Sequence, residues 1–166
     1  MSGHLRLVEG NTDERPVISI GFTTQYQVNE TTLNKDLIAA FCGSFDLHFE
    51  NYMLFTYIHC FDEQEPSLES TNEIELIVLK EMACDLFKIY KEENTSLPKD
   101  IIFFRQTRDI RINMITFHKK EVLSLKQAYK EVDRDYIKPD FICIEISQTN
   151  ITFKPFKVSK VRLSFF

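Results

Sequence analysis

Leu97-Pro98-Lys99-Asp100-Ile101-Ile102-Phe103-Phe104-Arg105 is the stretch that decides how this chain folds. Pro98 punctuates it, because proline cannot donate a backbone hydrogen bond and disfavours helix in the residue before it. Ile101 to Phe104 then follow as an unbroken apolar run, and Lys99–Phe104 reads as a short buried strand. Helical periodicity stands on both sides of it. Upstream, Ile74, Ile77, Val78, Met82, Leu86 and Ile89 recur at helical spacing, Ser70 with Glu73 has the form of a capping box, and the helix is predicted to end near Asn94. Downstream, Val122, Leu125, Tyr129 and Val132 mark a second helix over about Thr116–Asp135, broken by Pro139. Phe141-Ile142-Cys143-Ile144-Glu145-Ile146 is the next strand.

Three strands precede the first helix. Val17–Thr23, Leu37–Phe45 and Tyr52–Cys60 are rich in β-formers, and the polar joint between the second and third is short, as in an antiparallel meander. The tail from Phe156 to Phe166 mixes β-formers with Lys157, Lys160 and Arg162 and reads as a last strand. The predicted class is therefore α/β: a mixed sheet built from a three-strand antiparallel meander and then β-α-β-α-β, with helices on its faces. That order is the order of the ribonuclease-H-like fold. Residues 1–15 are polar and expected to be a flexible segment, and 16–166 a single domain.

Composition limits the function classes. The chain has 166 residues, 43% of them hydrophobic and 15 of them Phe, enough to build a core unaided. Its formal net charge is −5, whereas a dedicated nucleic-acid binder carries a basic surplus. Cys42, Cys60, Cys84 and Cys143 form no C-x-x-C pair and sit among apolar neighbours, which reads as buried thiols in a reducing compartment. His4, His48, His59 and His118 have no ligand spacing, so neither a metal nor another cofactor is expected. The first residues lack the apolar centre of a signal peptide, and no run approaches a membrane span. The expected location is cytoplasm or nucleus, without membrane attachment.

Several local sequences resemble the PIWI domain of Argonaute and Piwi proteins. Asp36-Leu37-Ile38-Ala39-Ala40-Phe41-Cys42-Gly43-Ser44-Phe45-Asp46 followed by Tyr52 is similar to that family's second strand and turn. Leu97–Arg105 is similar to its "Pro, basic, x, Ile-Ile-Phe-Tyr-Arg" strand, and Glu121-Val122-Leu123-Ser124-Leu125-Lys126-Gln127-Ala128 to its "Glu-Leu, x, Ala-Ile, basic, x, Ala" helix. Tyr136 and Pro139 then precede an apolar strand, as in the family. The matches run in the family's order over about residues 16–150 and correspond to the N-terminal half of a degenerate PIWI domain.

The resemblance implies a two-metal nuclease, in which clustered carboxylates hold magnesium ions that activate water and stabilise the leaving oxygen. It also implies that this chain has lost the acids. The family's first aspartate falls on Thr23, within Gly21-Phe22-Thr23-Thr24-Gln25-Tyr26, and its second on Gln106, within Phe104-Arg105-Gln106-Thr107. Glu75 falls where a helix-proximal glutamate would lie, and on its own reads as an unpaired, solvated acid favoured by the helix dipole. Asp46 and Asp109 are the alternative acids for a residual metal-dependent nuclease, but Asp46 has a local role in a turn and Asp109 alternates with arginines in a loop. There is no G-x-S-x-G elbow, P-loop or G-x-G-x-x-G, and only 4 glycines in all. The chain is expected not to be an enzyme.

Binding remains. Arg105, Arg108 and Arg111 after the fourth strand, and Lys154, Lys157 and Lys160 among the phenylalanines of the tail, are candidate RNA contacts. The family's "Lys-Arg-His-His" is Ser147-Gln148-Thr149-Asn150 here, which removes a cationic group and leaves RNA binding weak. Val161, Leu163, Phe165 and Phe166 alternate along the tail and are candidates for contact with a partner or a second copy. The function expected is a pseudoenzyme: a PIWI-like interaction or regulatory module, in a small-RNA silencing pathway by resemblance. An RNA-binding accessory protein of that pathway is the alternative.

Overall fold

The computed structural model describes residues 16–28, 30–31, 34–61, 67–106, 114–133, 138–146 and 151–153. Its elements run β1 (Val17–Val28), β2 (Lys35–Ser44), β3 (Tyr52–Cys60), α1 (Leu68–Asn94), β4 (Asp100–Gln106), α2 (Met114–Val132), β5 (Asp140–Ile146) and β6 (Ile151–Phe153). They form one six-stranded mixed sheet in the order β3-β2-β1-β4-β5-β6. β1 pairs antiparallel with β2 and β2 with β3, completing the meander. β4 lies parallel to β1 and β5 parallel to β4, so each helix is a crossover between parallel strands. A sixth strand that the sequence reading did not mark, Ile151–Phe153, lies antiparallel to β5. Residues 154–166 lie outside the described residues, as do 1–15.

Alternation explains which way the sheet faces. Ile18, Ile20 and Phe22 of β1, Leu37, Ala39 and Phe41 of β2, Ile101 and Phe103 of β4 and Phe141 and Cys143 of β5 are all buried. Successive residues of a strand point to opposite faces, so these share one face. They form a single core with Val78, Leu79, Met82, Leu86, Phe87 and Tyr90 of α1 and Leu125, Ala128 and Tyr129 of α2, apart from Leu37. Both helices thus pack on the same side. Gly43 shows how closely: a Cβ there would collide with a methyl of Leu86. The opposite face, with Ile38, Ala40, Cys42, Leu54, Ile58, Ile102, Phe104, Ile142 and Ile144, carries no element among the described residues.

Two sequence readings of α1 need correction. Ser67, not Ser70, is the N-cap; its hydroxyl accepts from the Ser70 N–H at 3.1 Å, so the helix begins three residues earlier. Ile77 is exposed rather than part of the apolar stripe, which runs through Val78, Leu79, Met82, Ala83, Leu86, Phe87 and Tyr90. The helix closes at Thr95 in the left-handed region (φ 63°), where the Asn94 amide donates to the carbonyls of Phe45 and Tyr90.

The β2–β3 turn is held by Asp46, whose carboxylate accepts from the N–H groups of Glu50 and Asn51 at 3.1 Å and from the Asn51 side-chain amide. Slight burial opposes the charge, but the Asn51 and Glu50 donors outweigh it and hold the carboxyl below its ordinary range. A carboxyl whose pKa is lower folded than unfolded stabilises the fold above the unfolded value of about 3.9, and that contribution fades as pH falls through the folded value. Asp46→Ala is therefore expected to lower the urea midpoint at neutral pH, with the gap to wild type closing in strong acid. A gap that stays constant down the acid limb would assign the loss to the turn's shape instead.

Candidate functional site where the β1–β4 pairing ends

Ligands of open α/β sheets gather beyond the carboxyl ends of parallel strands. Here the parallel pairing of β1 with β4 ends where Phe22 lies opposite Arg105, while β1 itself runs on to Val28. The next residue on each strand is Thr23 and Gln106, and they meet: the Thr23 hydroxyl donates to the Gln106 amide oxygen at 2.8 Å. The two positions that the resemblance assigned to lost acids, 83 residues apart in sequence, are thus neighbours on the exposed face. A neutral hydroxyl bonded to a neutral amide supplies no anionic ligand, and magnesium favours carboxylates. Thr23 and Gln106 by themselves do not fit a magnesium pair.

On the other face of the same strands lies a buried ionic cluster that ties together four elements. Arg105 is in phase with Ile101 and Phe103, so its side chain enters the core and is only 4% exposed. Its Nε donates to Glu121 of α2 at 2.6 Å, and its terminal nitrogens donate to Glu75 of α1, to the Phe22 carbonyl and to the Thr24 hydroxyl, each at 3.3 Å. The guanidinium also lies 4.9 Å from the centre of the Phe22 ring. Glu75 accepts in addition from the Thr24 hydroxyl at 3.2 Å and from the Tyr26 hydroxyl at 2.7 Å. Glu75 and Glu121 are 1% and 0% exposed.

This cluster corrects two sequence readings. Glu75 is neither solvated nor unpaired; it is a core acid paired with Arg105 and two hydroxyls, and it faces away from Thr23 and Gln106. Arg105 is not an RNA contact, because its donors are spent inside the core. Arg108, Arg111, Lys154, Lys157 and Lys160, the partner candidates Val161, Leu163, Phe165 and Phe166, and Asp109 all lie outside the described residues. Glu121 was not foreseen as a partner of Arg105. The signal was present: Glu121, Leu125 and Ala128 share one helix stripe, and an acid in phase with an apolar stripe requires a cation.

Other reactive groups are elsewhere and subdued. All four cysteines are thiols, but Cys60 is exposed and Cys42 half-buried rather than buried. Burial, aided by the nearby Glu131, raises Cys84 to about 11, and burial with the nearby Glu121 raises Cys143 to about 12, so neither is a ready nucleophile. His59 packs edge-on against Phe61 at 4.7 Å. No group of three or more His, Cys, Asp or Glu suited to a metal occurs among the described residues. No described helix is long and apolar enough to cross a membrane.

No protein-family model and no curated protein sequence matches the chain. Solved structures do. Kluyveromyces polysporus Argonaute with a guide RNA superimposes at a TM-score of 0.56 with 21% identity, covering 86% of this chain and 15% of that one. The MID-PIWI domains of N. crassa QDE-2 give 0.54, 18%, 86% and 38%. Drosophila Piwi gives 0.53, 18%, 81% and 16%. The chain spans well under half the length of each. Sheet order, crossovers and these superpositions agree that the chain has the ribonuclease-H-like fold found in the PIWI domains of Argonaute and Piwi proteins.

Proposed function

We propose that this chain is a catalytically inactive PIWI-like module that acts by binding another protein, within a small-RNA pathway. The observation that carries the reading is the Thr23–Gln106 hydrogen bond: a self-satisfied neutral pair stands where the resemblance requires metal-binding acids. Of the described acids, Glu75 and Glu121 offer no substitute, because their carboxylates are engaged by Arg105 in the core. What the chain retains is the scaffold, with its sheet and internal ionic cluster intact. The pathway rests on likeness of fold to Argonaute and Piwi structures, one of which holds a guide RNA. Its own affinity for RNA is weak, given a net charge of −5 and the inward turn of Arg105.

Purified protein incubated with labelled single-stranded RNA, double-stranded RNA, DNA and hybrid, with magnesium or manganese, is expected to cleave none of them. The double variant Thr23→Asp/Gln106→Asp is expected to stay inactive, since Glu75 cannot leave Arg105 to complete an acid cluster. Cleavage that follows the protein through purification and disappears on changing Asp46 or Asp109 would overturn the inactive reading. Fluorescence anisotropy with short RNAs is expected to give non-specific affinities on the order of 10⁻⁴–10⁻⁶ M. A sub-micromolar, sequence-preferring complex at physiological salt would replace the protein-binding reading with an RNA-binding one.

A further inference from the structure

β3 forms one edge of the sheet, paired to β2 along its whole length from Tyr52 opposite Ser44 to Cys60 opposite Asp36. On its other side no strand stands among the described residues. Natural edge strands are defended by charge, proline, bulges or shortness, because a bare row of N–H and C=O groups templates another chain. Tyr52-Met53-Leu54-Phe55-Thr56-Tyr57-Ile58-His59-Cys60 has none of these defences. It is nine residues long, carries no Lys, Arg, Asp, Glu, Pro or Gly, and pairs one-to-one with β2 without a bulge. Leu54 is 65% and Ile58 63% exposed. The opposite edge, β6, is only three residues long and so defends itself.

The strand also matches itself. Laid antiparallel on a second β3 with Thr56 opposite Thr56, it places Leu54 opposite Ile58, Tyr52 opposite Cys60, Phe55 opposite Tyr57 and Met53 opposite His59. Every facing pair then shares a sheet face, and this is the one antiparallel register that pairs all nine residues. Chains of net charge −5 repel one another generally, but along this strand no like charges are brought together. The symmetric register closes after two copies, as an isologous two-fold contact requires.

We infer that a second copy of this chain pairs antiparallel with β3 about a two-fold axis through Thr56, joining the two six-stranded sheets into one. The pairing goes beyond the proposed function and holds or fails whatever the nuclease assays show.

The test uses the full chain. Sedimentation equilibrium over a concentration series is expected to give a reversible monomer–dimer equilibrium. Thr56→Lys sets two ammonium groups face to face across the axis on an exposed position, and is expected to weaken the dimer at least ~10-fold while leaving circular dichroism unchanged. Thr56→Cys is the second variant. Opposed residues in antiparallel strands have Cα atoms about 4.5–5.5 Å apart, within disulfide range, so oxidised glutathione should join the two introduced thiols into a disulfide between chains. The control variant Leu47→Cys, at an exposed position outside β3, should link far more slowly. Should Thr56→Lys misfold, the cross-link of the Thr56→Cys variant decides alone. A chain that stays monomeric throughout, or a dimer that is indifferent to Thr56→Lys and in which Thr56→Cys links no faster than Leu47→Cys, overturns the proposal.

Discussion

Replacing Arg105 with methionine is expected to destabilise the domain by about 3–5 kcal/mol, the usual cost of breaking a buried ion pair from one side. Small domains have only about 5–15 kcal/mol to lose, so much of the protein should be unfolded at modest urea. The size follows from what the guanidinium leaves behind. Glu121 is wholly buried with Arg105 Nε at 2.6 Å, and Glu75 shares the same cation at 3.3 Å. Without it, both carboxyls lose their shared cation in a low-dielectric interior between α1, α2 and the sheet, where a charge lacking its counter-ion is costly. Arg105→Lys should recover only part of the loss, because one ammonium cannot span donors to both helices and to Phe22 and Thr24 together. The triple variant Arg105→Met/Glu75→Gln/Glu121→Gln should regain stability over Arg105→Met alone, since it removes the stranded charges. Urea melts of wild type and the three variants check this. A loss below about 1 kcal/mol in Arg105→Met would mean that the cluster is relieved by water and does not tie the elements together.

Most of the fold was legible because its signals are local. Tyr52–Cys60 was bounded as the structure has it, and the apolar run after Pro98 located β4 to within two residues. Periodicity found both helices, although it misplaced Ile77, since several apolar residues in a row leave the stripe's phase ambiguous. The reach of β1 to Val28 was missed because Thr24, Gln25, Tyr26 and Gln27 do not look like core, yet Thr24 and Tyr26 serve the ionic cluster. The site was half legible. Thr23 and Gln106 came from resemblance, and their contact depends on the parallel pairing of β1 with β4, which no local pattern encodes. Arg105 was read outward because it was grouped with Arg108 and Arg111 as a basic stretch following the fourth strand. Its phase with Ile101 and Phe103 pointed inward, and that periodicity was the better guide.

The same phase rule gives the last expectation, on two adjacent phenylalanines of β4. Phe103 is 1% exposed and lies in the core shared with α1 and α2, so Phe103→Ala should cost about 3–5 kcal/mol in lost burial and cavity. Phe104 points to the opposite face. It is half-buried, opposite Gly21 on β1, which has no side chain to pack, and opposite Ile144 on β5. Truncating it removes less buried area and opens no closed cavity, so Phe104→Ala should cost about 1 kcal/mol. The β3 pairing inferred above extends the sheet sideways and covers neither face, so the difference should not depend on protein concentration. Urea midpoints measured at low and high concentration separate the possibilities. Equal losses at every concentration would mean that the second face is closed by this chain's own remaining residues. Equal losses only at high concentration would mean that another copy seats on that face.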